Sequence, residues 1–234
     1  LFTGPRQPAD SIALLQHSSG TTGQQKGIAL SHRAILEHNS RYTACLGITP
    51  DDRIVTWLPL YHDMGFVACF LLPTLDGIPF VEMSPFDWVL RPVMLLEEIW
   101  KQRGTLSWLP NFAFSYLATA ITRSQIPNGL DLSSIRAWVN CSEPVMSGSI
   151  EAFLEKFSEY GASRRQITAC YAMAENVFAV TQSKPGSYET IRVDRRIFVD
   201  EHRAQPVTGG DDGAVTFVSN GGLLEGCRLR VVDR

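Results

Sequence analysis

The sequence lacks the features of a membrane-spanning, exported, disulfide-bonded or zinc-binding chain. No apolar run approaches the roughly 20 residues that a membrane-spanning helix needs, and no signal peptide opens the chain. The five cysteines include no C-x-x-C pair, and the five histidines lack the spacing of metal ligands. We therefore expect reduced thiols in a cytoplasmic protein and no transition-metal site.

Blocks of like charge are absent as well. The net charge is −3 and the pI is about 6.0, which argues against a nucleic-acid or anionic-membrane surface. The expected partner is therefore a small molecule. With 234 residues, 44% of them hydrophobic, and no internal repeat or low-complexity tract, the chain can bury a sizeable core.

Strand and helix patterns alternate along most of the chain. Short apolar runs predict strands at residues 53–58, 78–83, 105–109, 134–140 and 166–171. Apolar residues at helical spacing predict helices at 32–47, capped by Ser31, at 88–102 with Pro92 in the first turn, at 111–123, and at 149–160, capped by Ser149. This alternation predicts an α/β fold with a mostly parallel sheet and helices on both of its faces.

Composition divides the chain into four predicted parts. Residues 1–10 have the composition of a linker, 11–180 form the α/β subdomain, 181–213 are a polar insertion, and 214–234 begin a small β-rich part. Weak strands are predicted at 190–193 and 196–199, and better ones at 214–218 and 228–232. Because the chain has no initiator Met and starts and stops beside strands, we expect it to be a piece of a longer polypeptide.

A loop rich in hydroxyls and glycines follows the apolar run at residues 12–15. It consists of Ser18, Ser19, Gly20, Thr21, Thr22 and Gly23, and a single cation, Lys26, comes shortly after it. Glycine lets the backbone approach an anion, N–H groups and hydroxyls donate to phosphate oxygens, and the lysine offsets charge. The pattern predicts a phosphate-binding loop, and the alternative is a Ser/Gly surface turn. It is not a Walker loop, because Gln25 precedes Lys26 and Gly27 follows it.

Three further polar segments follow predicted strands, where ligands bind in open α/β sheets. The first includes His62 and Asp63, the second Asn140, Cys141, Ser142 and Glu143, and the third Tyr171, Met173 and Glu175. The Tyr171 ring can stack on adenine, and the Glu175 carboxylate is a hard ligand suited to Mg²⁺. Each segment also has a plainer interpretation: a satisfied His-Asp pair, a polar turn before a helix, and a core Tyr beside a solvated Glu.

Taken together and in this order, the four segments resemble the motifs of the adenylate-forming enzymes, which include acyl-CoA synthetases, peptide-synthetase adenylation domains and luciferases. S-S-G-T-T-G-x-x-K-G resembles their phosphate loop, N-C-S-E-P their N-G-A-E-P segment, and Y-A-M-A-E their Y-G-x-T-E segment. The sequence L-P-L-Y-H-D-M-G and the alanine of M-A-E are typical of fatty-acyl-AMP ligases. The resemblance covers residues 11–180 well and 218–233 moderately, and 181–212 lie where fatty-acyl-AMP ligases carry an insertion.

The resemblance implies ATP-dependent activation of a carboxylic acid as an acyl-adenylate, with release of pyrophosphate. It implies three catalytic residues: Lys26, which with the loop hydroxyls holds the β- and γ-phosphates, Glu175, which holds Mg²⁺, and His62, which positions the acid. The segments around Tyr171 and Met173 and at residues 140–143 would hold the adenine. The apolar segments 64–70, 108–115 and 177–180 favour a fatty or other apolar acyl chain. The implied acceptor is the thiol of an acyl-carrier protein, with CoA as the alternative.

Departures from the family pattern limit what the resemblance implies. Gln25 replaces a proline, Ala172 a glycine, and Cys141 and Ser142 a glycine and an alanine. We expect Cys141, the bulkiest change, to restrict how closely the base approaches. The family's ribose-binding Gly-Asp, its C-terminal domain with a catalytic lysine, and the N-terminal part of its large domain are not among these residues. We therefore expect the 234-residue chain alone to turn over little or nothing.

Other function classes stay open at this point. One is a non-catalytic or degenerate adenylation-like module within a larger synthase. Another is a P-loop kinase or NTPase, against which the order Gln25, Lys26, Gly27 speaks. An acyl hydrolase is disfavoured because the sequence contains no G-x-S-x-G nucleophile elbow.

Overall fold

The computed structural model describes residues 6–17, 26–208 and 213–232. Its strands are β1 (Ile12–His17), β2 (Gly27–Ser31), β3 (Ile54–Thr56), β4 (Phe80–Glu82), β5 (Leu106–Leu109), β6 (Ala137–Asn140), β7 (Ile167–Ala172), β8 (Ala179–Gln182), β9 (Thr190–Asp194), β10 (Ala214–Val218) and β11 (Gly222–Leu223). Its α-helices are α1 (His32–Leu46), α2 (Leu72–Asp76), α3 (Pro85–Leu90), α4 (Val93–Gln102), α5 (Asn111–Ala120), α6 (Ser147–Phe157) and α7 (Arg195–Asp200). A π-helix, Met64–Leu71, leads directly into α2.

Seven strands form one central sheet in the order β11-β8-β7-β6-β5-β3-β4. Strands β4, β3, β5, β6 and β7 run parallel, and β8 and β11 extend one edge in antiparallel pairing. Every residue of β5 and β6 is buried, as expected of parallel strands that are covered on both faces. The predicted α/β fold with a mostly parallel sheet is confirmed. Two antiparallel pairs, β1 with β2 and β9 with β10, form separate two-stranded sheets.

Large aromatic side chains fill the space between the sheet and its helices. Trp108 in β5 and Trp138 in β6 are fully buried. On one face α5 packs on α6, with the rings of Phe114 and Phe153 edge-to-face at 5.3 Å between centroids, and Trp138 meets Phe153 at the same distance. This packing fixes the helices relative to the strand ends.

Helix α1 follows its sequence signals at both ends. The Ser31 hydroxyl accepts a hydrogen bond from the amide of Ala34, which is the arrangement of an N-cap. Gly47 ends the helix with φ of 59°, a left-handed conformation that glycine adopts without strain. The helix predicted at 32–47 is therefore confirmed within one residue.

The helix predicted at residues 88–102 is wrong, because the chain forms two helices there, α3 and α4, instead of one. They are separated at Arg91, which has φ of −142° and ψ of 73°, directly before Pro92. A proline disfavours helical geometry in the residue before it and has no N–H to donate to the preceding turn. Pro92 thus begins the second helix as its N-cap.

Ser149 does not cap α6, contrary to the prediction. The helix begins two residues earlier, at Ser147, and Met146 at the N-cap position makes no side-chain cap. The Ser149 hydroxyl instead accepts a hydrogen bond from the Asn111 side-chain amide at 3.1 Å. Ser149 therefore joins α6 to α5.

Several other boundaries differ from the predictions. Helix α5 ends at Ala120, not at residue 123. The strand predicted at 196–199 is wrong, because helix α7 forms there. Asp194 caps this helix, with its carboxylate accepting a hydrogen bond from the amide of Ile197. No strand forms at 228–232, which is within the described range, so that prediction is also wrong. The strands at 190–194 and 214–218 form and pair with each other. Strands β2, β8 and β11 were not predicted.

The predicted division into four parts stays a prediction. Strand β8 spans residue 180, and β11 pairs with it, so the central sheet continues past the predicted boundary. None of the helices in the described ranges is long and apolar enough to cross a bilayer. The same ranges contain no group of three or more His, Cys, Asp or Glu residues that could hold a metal ion.

Candidate functional site

The parallel strands bring the predicted segments to one edge of the sheet. The register sets Leu109 in β5, Asn140 in β6 and Ala169 in β7 level with one another. The chain leaves these strands and β3 toward the same edge, through the loop at 57–63, the start of α5, the loop at 141–146 and the turn at 173–178. Ligands of open α/β sheets bind outside the carboxyl ends of the strands, which is this edge.

His62 and Asp63 form an ion pair in the loop after β3. The His62 Nδ1 lies 2.8 Å from Asp63 Oδ1, with the imidazole 40% exposed and the carboxylate 15% exposed. The amide of Met64 also donates to Asp63 Oδ1, at 2.7 Å. The hydrogen bond that His62 donates to the Asp63 carboxylate raises the pKa of His62, burial opposes this, and the carboxylate charge adds to it. The pair thus presents a partly exposed imidazole that keeps its proton to a higher pH than an ordinary histidine does.

We expect Asp63→Asn to lower the pKa of His62 toward the ordinary histidine value of about 6.5. The amide keeps the shape of the carboxylate but removes its charge. Because the folded pKa of His62 is raised, the stabilisation by the pair is complete below the unfolded pKa and is lost as the pH rises through the folded pKa. An NMR titration of the imidazole Cε1 proton in both proteins measures the change. Equal pKa values in the two proteins would contradict the pairing.

Contacts tie the loop after β3 to its neighbours. A Cβ on Gly65 would meet the carbonyl oxygen of Pro59 at 2.3 Å, so only glycine lets the π-helix begin this close to the loop. Trp57 stacks on Trp88 with ring centroids 3.7 Å apart, and the half-exposed ring of Phe112 meets both edge-on. An aromatic cluster therefore borders the site.

The predicted residues in and before the loop after β6 differ in their exposure to solvent. Asn140 is fully buried and donates from Nδ2 to Asn111 Oδ1 at 3.2 Å, whereas its own Oδ1 has no partner in the described part of the chain. Cys141 is also fully buried, backbone included, and its amide donates to the carbonyl of Leu109 at 3.1 Å. Its side chain therefore does not project into the site, contrary to the obstruction expected from the sequence. Ser142 has φ of 72° and donates from Oγ to the sulfur of Met64 at 3.5 Å, which links this loop to the loop after β3.

Glu143 and Asn111 hold the same loop against the start of α5. The Glu143 carboxylate accepts from the amide of Phe112 at 2.9 Å, where a negative charge is favoured at a helix N-terminus. Asn111 Oδ1 accepts from the amide of Met146 at 2.9 Å in addition to its bond with Asn140. The loop is therefore fixed at both of its ends.

Tyr171, Met173 and Glu175 lie at and just beyond the end of β7. Tyr171 is 46% exposed and Met173 is 37% exposed, so both present surface to solvent at this edge. Glu175 is exposed on a short 3₁₀ turn, Ala174–Asn176. Within the described residues its carboxylate takes part in no hydrogen bond or ion pair.

The predicted phosphate loop can be placed only in part. Six residues of this loop lie outside the described residues, so their role in binding phosphate stays a prediction: Ser18, Ser19, Gly20, Thr21, Thr22 and Gly23. Lys26 is exposed directly before β2. His17 in β1 pairs with Gly27 in β2, so the strands that flank the loop form a hairpin.

The donor set at this edge fits a nucleotide with Mg²⁺. Mg²⁺ is bound through one or two carboxylates together with substrate phosphates and water, so it needs no cluster of protein ligands. The exposed carboxylate of Glu175 is suited to be one such ligand, and the half-exposed Tyr171, four residues earlier, suits an adenine ring. Two surface clefts, of about 420 and 400 Å³, lie elsewhere and are lined by none of the predicted site residues.

Sequence reasoning missed three residues that shape the site. Asn111 could have been found, because it is a polar residue directly after a predicted strand. Asn176 donates from its side chain to the carbonyl of Ala179, and no sequence motif indicated this role. Val177 has φ of 68°, which nothing in the sequence suggests for a β-branched residue.

Comparisons with known proteins agree with this geometry. JamA of Moorena producens, a medium-chain-fatty-acid–acyl-carrier-protein ligase, is 32% identical over 227 residues, which are 96% of this chain and 38% of that protein. FadD28 of Mycobacterium tuberculosis, a long-chain-fatty-acid–AMP ligase, is 33% identical over 225 residues, 93% of this chain and 38% of that protein. A structure of a fatty acyl-adenylate ligase from L. pneumophila in complex with acyl adenylate and pyrophosphate has a TM-score of 0.88 and 34% identity, and covers 94% of this chain and 39% of that one.

The match extends over nearly all of the chain but only part of each relative. The chain spans 38 to 39% of the length of these three proteins. The family model of the AMP-binding enzymes matches residues 2–233. The resemblance drawn from the four motif segments is thereby confirmed, and the chain belongs to the family of AMP-binding enzymes.

Proposed function

We propose that this chain forms part of a ligase that activates a carboxylic acid as an acyl-adenylate, with ATP as the second substrate and pyrophosphate as the first product. The observation that carries the proposal is the meeting of the His62–Asp63 pair, the loop at 141–146 and the exposed Tyr171 and Glu175 at one edge of the sheet. The relatives named above, one a fatty-acid–AMP ligase and one holding acyl adenylate and pyrophosphate, support it.

In the proposed reaction an oxygen of the acid forms a bond to the α-phosphorus of ATP, and the bond from that phosphorus to pyrophosphate breaks. The chain's residues position the reactants and stabilise charge, which is most of what such a transfer requires. Tyr171 and the segment at residues 140–143, through its exposed residues Ser142 and Glu143, would hold the adenine, with Met173 beside it. The β- and γ-phosphates would be held by Lys26 and by four loop hydroxyls, those of Ser18, Ser19, Thr21 and Thr22. The backbone of Gly20 and Gly23 would approach the same phosphates.

His62 and Glu175 have separate roles in the proposal. The pKa of His62 is raised by its hydrogen bond to Asp63, which extends the pH range in which the imidazole can donate to the acid's carboxylate. Glu175 would bind Mg²⁺, which when bound neutralises charge on the phosphates. Asp63 fixes the imidazole, because it accepts from Nδ1 and leaves Nε2 for the substrate.

The proposed acid is fatty or otherwise apolar, and the proposed acceptor is the thiol of an acyl-carrier protein. The half-exposed ring of Phe112, which packs against the buried rings of Trp57 and Trp88, borders the site and supports an apolar acid. The acyl-carrier-protein activity stated for JamA supports the acceptor, and CoA is the alternative that the experiment separates. All five cysteines are free thiols, which supports the proposed cytoplasmic location.

Pyrophosphate exchange into ATP tests the proposal. The protein is expressed from its complete reading frame and incubated with ATP, Mg²⁺, labelled pyrophosphate and one acid at a time from a series of saturated fatty acids, aryl acids and amino acids. We expect exchange with apolar acids, and release of AMP only when a thiol acceptor takes the acyl group from the adenylate. Addition of an acyl-carrier protein or of CoA then shows which thiol takes up the acyl group.

The same experiment separates the rival classes. Exchange with no acid in the series, by a folded protein that binds ATP, would assign the chain to a non-catalytic adenylation-like module. Formation of ADP would assign it to phosphoryl transfer from the γ-phosphate. The 234-residue chain by itself is expected to exchange little or not at all.

A further inference from the structure

A strained turn follows Glu175 directly. Val177 has φ of 68° and ψ of −55°, and the amide of Phe178 donates to the carbonyl of Asn176 at 2.8 Å. These angles and this bond define a classic-type γ-turn, which is rare and strained. A positive φ is a true outlier for a β-branched residue, and such outliers persist only where the surrounding structure enforces them. Contacts from neighbouring residues must therefore keep the turn in this strained conformation.

Two side chains hold the turn by donating to one carbonyl. Asn176 Nδ2 donates to the carbonyl oxygen of Ala179 at 2.6 Å, and His38 Nε2 lies 3.2 Å from the same oxygen. The amide of Met173 donates to the carbonyl of Phe178 at 2.9 Å and closes the turn from the other side. The side chains of Val177 and Phe178 are buried and cannot swing outward. We call His38, Asn176 and the Ala179 carbonyl the turn clamp.

His38 joins this clamp to helix α1. Along the chain α1 follows β2 directly, and β2 comes after the predicted phosphate loop. A carbonyl oxygen only accepts, so Nε2 carries the hydrogen, and Nδ1 has no partner within the described ranges. Burial lowers the pKa of His38 to about 4, so the neutral donor persists at physiological pH. The helix after the phosphate loop is thus bonded to the segment that carries Glu175.

We infer that Asn176 and His38 are positioning residues that hold the strained turn and so fix the Glu175 carboxylate where a nucleotide-bound Mg²⁺ lies. The inference rests on the proposed function, because it assigns Glu175 to the metal. Neither residue touches the reacting atoms; both act through the backbone of the turn. Side chains that fix metal ligands from outside typically change metal affinity or activity 10- to 100-fold when replaced.

The experiment compares ATP binding with and without the metal. Isothermal titration calorimetry on the complete protein gives the dissociation constant for ATP in Mg²⁺ and in EDTA, and their ratio is the magnesium preference. We expect Asn176→Ala to reduce this preference about tenfold. Binding of metal-free ATP is expected to stay unchanged, because the adenine and phosphate contacts are intact.

Paired variants distinguish positioning from folding. His38→Leu removes the donor to Ala179 and should act like Asn176→Ala, whereas His38→Gln keeps a donor at the same distance from the backbone and should retain most of the magnesium preference. Val177→Gly accepts a positive φ without strain and removes a buried side chain, so it frees the turn at some cost in thermal stability and should also reduce the magnesium preference. Thr105→Val is the control, since it removes a hydrogen bond to Asp52 far from the turn and should lower only thermal stability.

The outcomes are distinct. An unchanged magnesium preference in Asn176→Ala and His38→Leu, with lowered thermal stability, would overturn the inference and leave a purely structural clamp. Equal loss in His38→Leu and His38→Gln would also count against it. If the wild-type protein shows no magnesium preference, the proposed metal site is wrong. The same holds if the Glu175→Gln variant keeps the wild-type preference.

Discussion

Replacing Asp52 with alanine is expected to lower the free energy of unfolding by about 3–5 kcal/mol, because it leaves the guanidinium of Arg136 half-buried without its partner. The Asp52 side chain is 4% exposed, and Arg136 binds it with two hydrogen bonds, Nε to Oδ1 at 2.7 Å and Nη2 to Oδ2 at 2.8 Å. Thr105 Oγ1 and the amide of Thr49 add bonds of 2.7 and 2.9 Å. All four lone-pair positions of the carboxylate are therefore used.

The Asp52 carboxylate joins separate elements at the amino edge of the sheet. Arg136 precedes β6, Thr105 precedes β5, and Arg136 Nη1 also donates to the carbonyl of Leu46 at the end of α1. Burial alone would raise the pKa of Asp52, but the hydrogen bonds from Arg136, Thr105 and Thr49 outweigh it and lower the pKa. Because the folded pKa is lowered, this stabilisation is present above the unfolded pKa and is lost as the pH falls through the folded value.

Urea unfolding of Asp52→Ala and Asp10→Ala measures the effect with a matched control. Asp10 also forms a two-point pair with an arginine, Arg33, at 2.7 and 3.2 Å, but both partners are exposed. Exposed pairs contribute little, so Asp10→Ala should leave the urea midpoint nearly unchanged. If both variants lowered the midpoint equally, burial of the Asp52 pair would have no role in stability.

The sequence predicted those parts of the fold whose signals are local. Ser31 and Gly47 predicted α1 because capping depends on a few neighbouring residues, and buried apolar runs predicted β5, β6 and β7. The motif segments were predictable for a similar reason, since they follow strands whose ends share one edge. Local chemistry and strand direction were sufficient for these features.

Features set by competing or distant contacts were not predictable. Pro92 was compatible with one helix or two, and the outcome depended on the geometry of Arg91. Residues 195–200 have a strand-like composition, yet the Asp194 cap and packing of Phe198 on Phe217 favour a helix. Cys141 is bonded through its amide to the carbonyl of Leu109, 32 residues earlier, and the turn at Val177 is bonded to His38, 139 residues before Val177. Such residues meet only in the folded chain.

Replacing Glu175 with glutamine is expected to slow acid-dependent pyrophosphate exchange at least about 100-fold, because replacing groups that only support a metal ligand already costs 10- to 100-fold. The glutamine side chain keeps the size of glutamate but offers Mg²⁺ a neutral oxygen. Glu175 is exposed and unpaired among the described residues, so no structural contact is lost with the charge. The unfolding midpoint should therefore stay at its wild-type value while the exchange rate falls.

Glu155→Gln is the control for this loss. Glu155 is another exposed carboxylate, in the second half of α6 and away from the carboxyl edge of the sheet. The Glu155→Gln variant should exchange pyrophosphate at the wild-type rate. This result would show that removing one negative charge does not by itself slow the exchange. A Mg²⁺ titration separates the two possible causes of a slow Glu175→Gln protein. If exchange recovers at high Mg²⁺ concentration, the carboxylate binds the metal; if the rate stays low at saturating Mg²⁺, Glu175 acts on the nucleotide or the acid instead, and its assignment as the metal ligand is wrong.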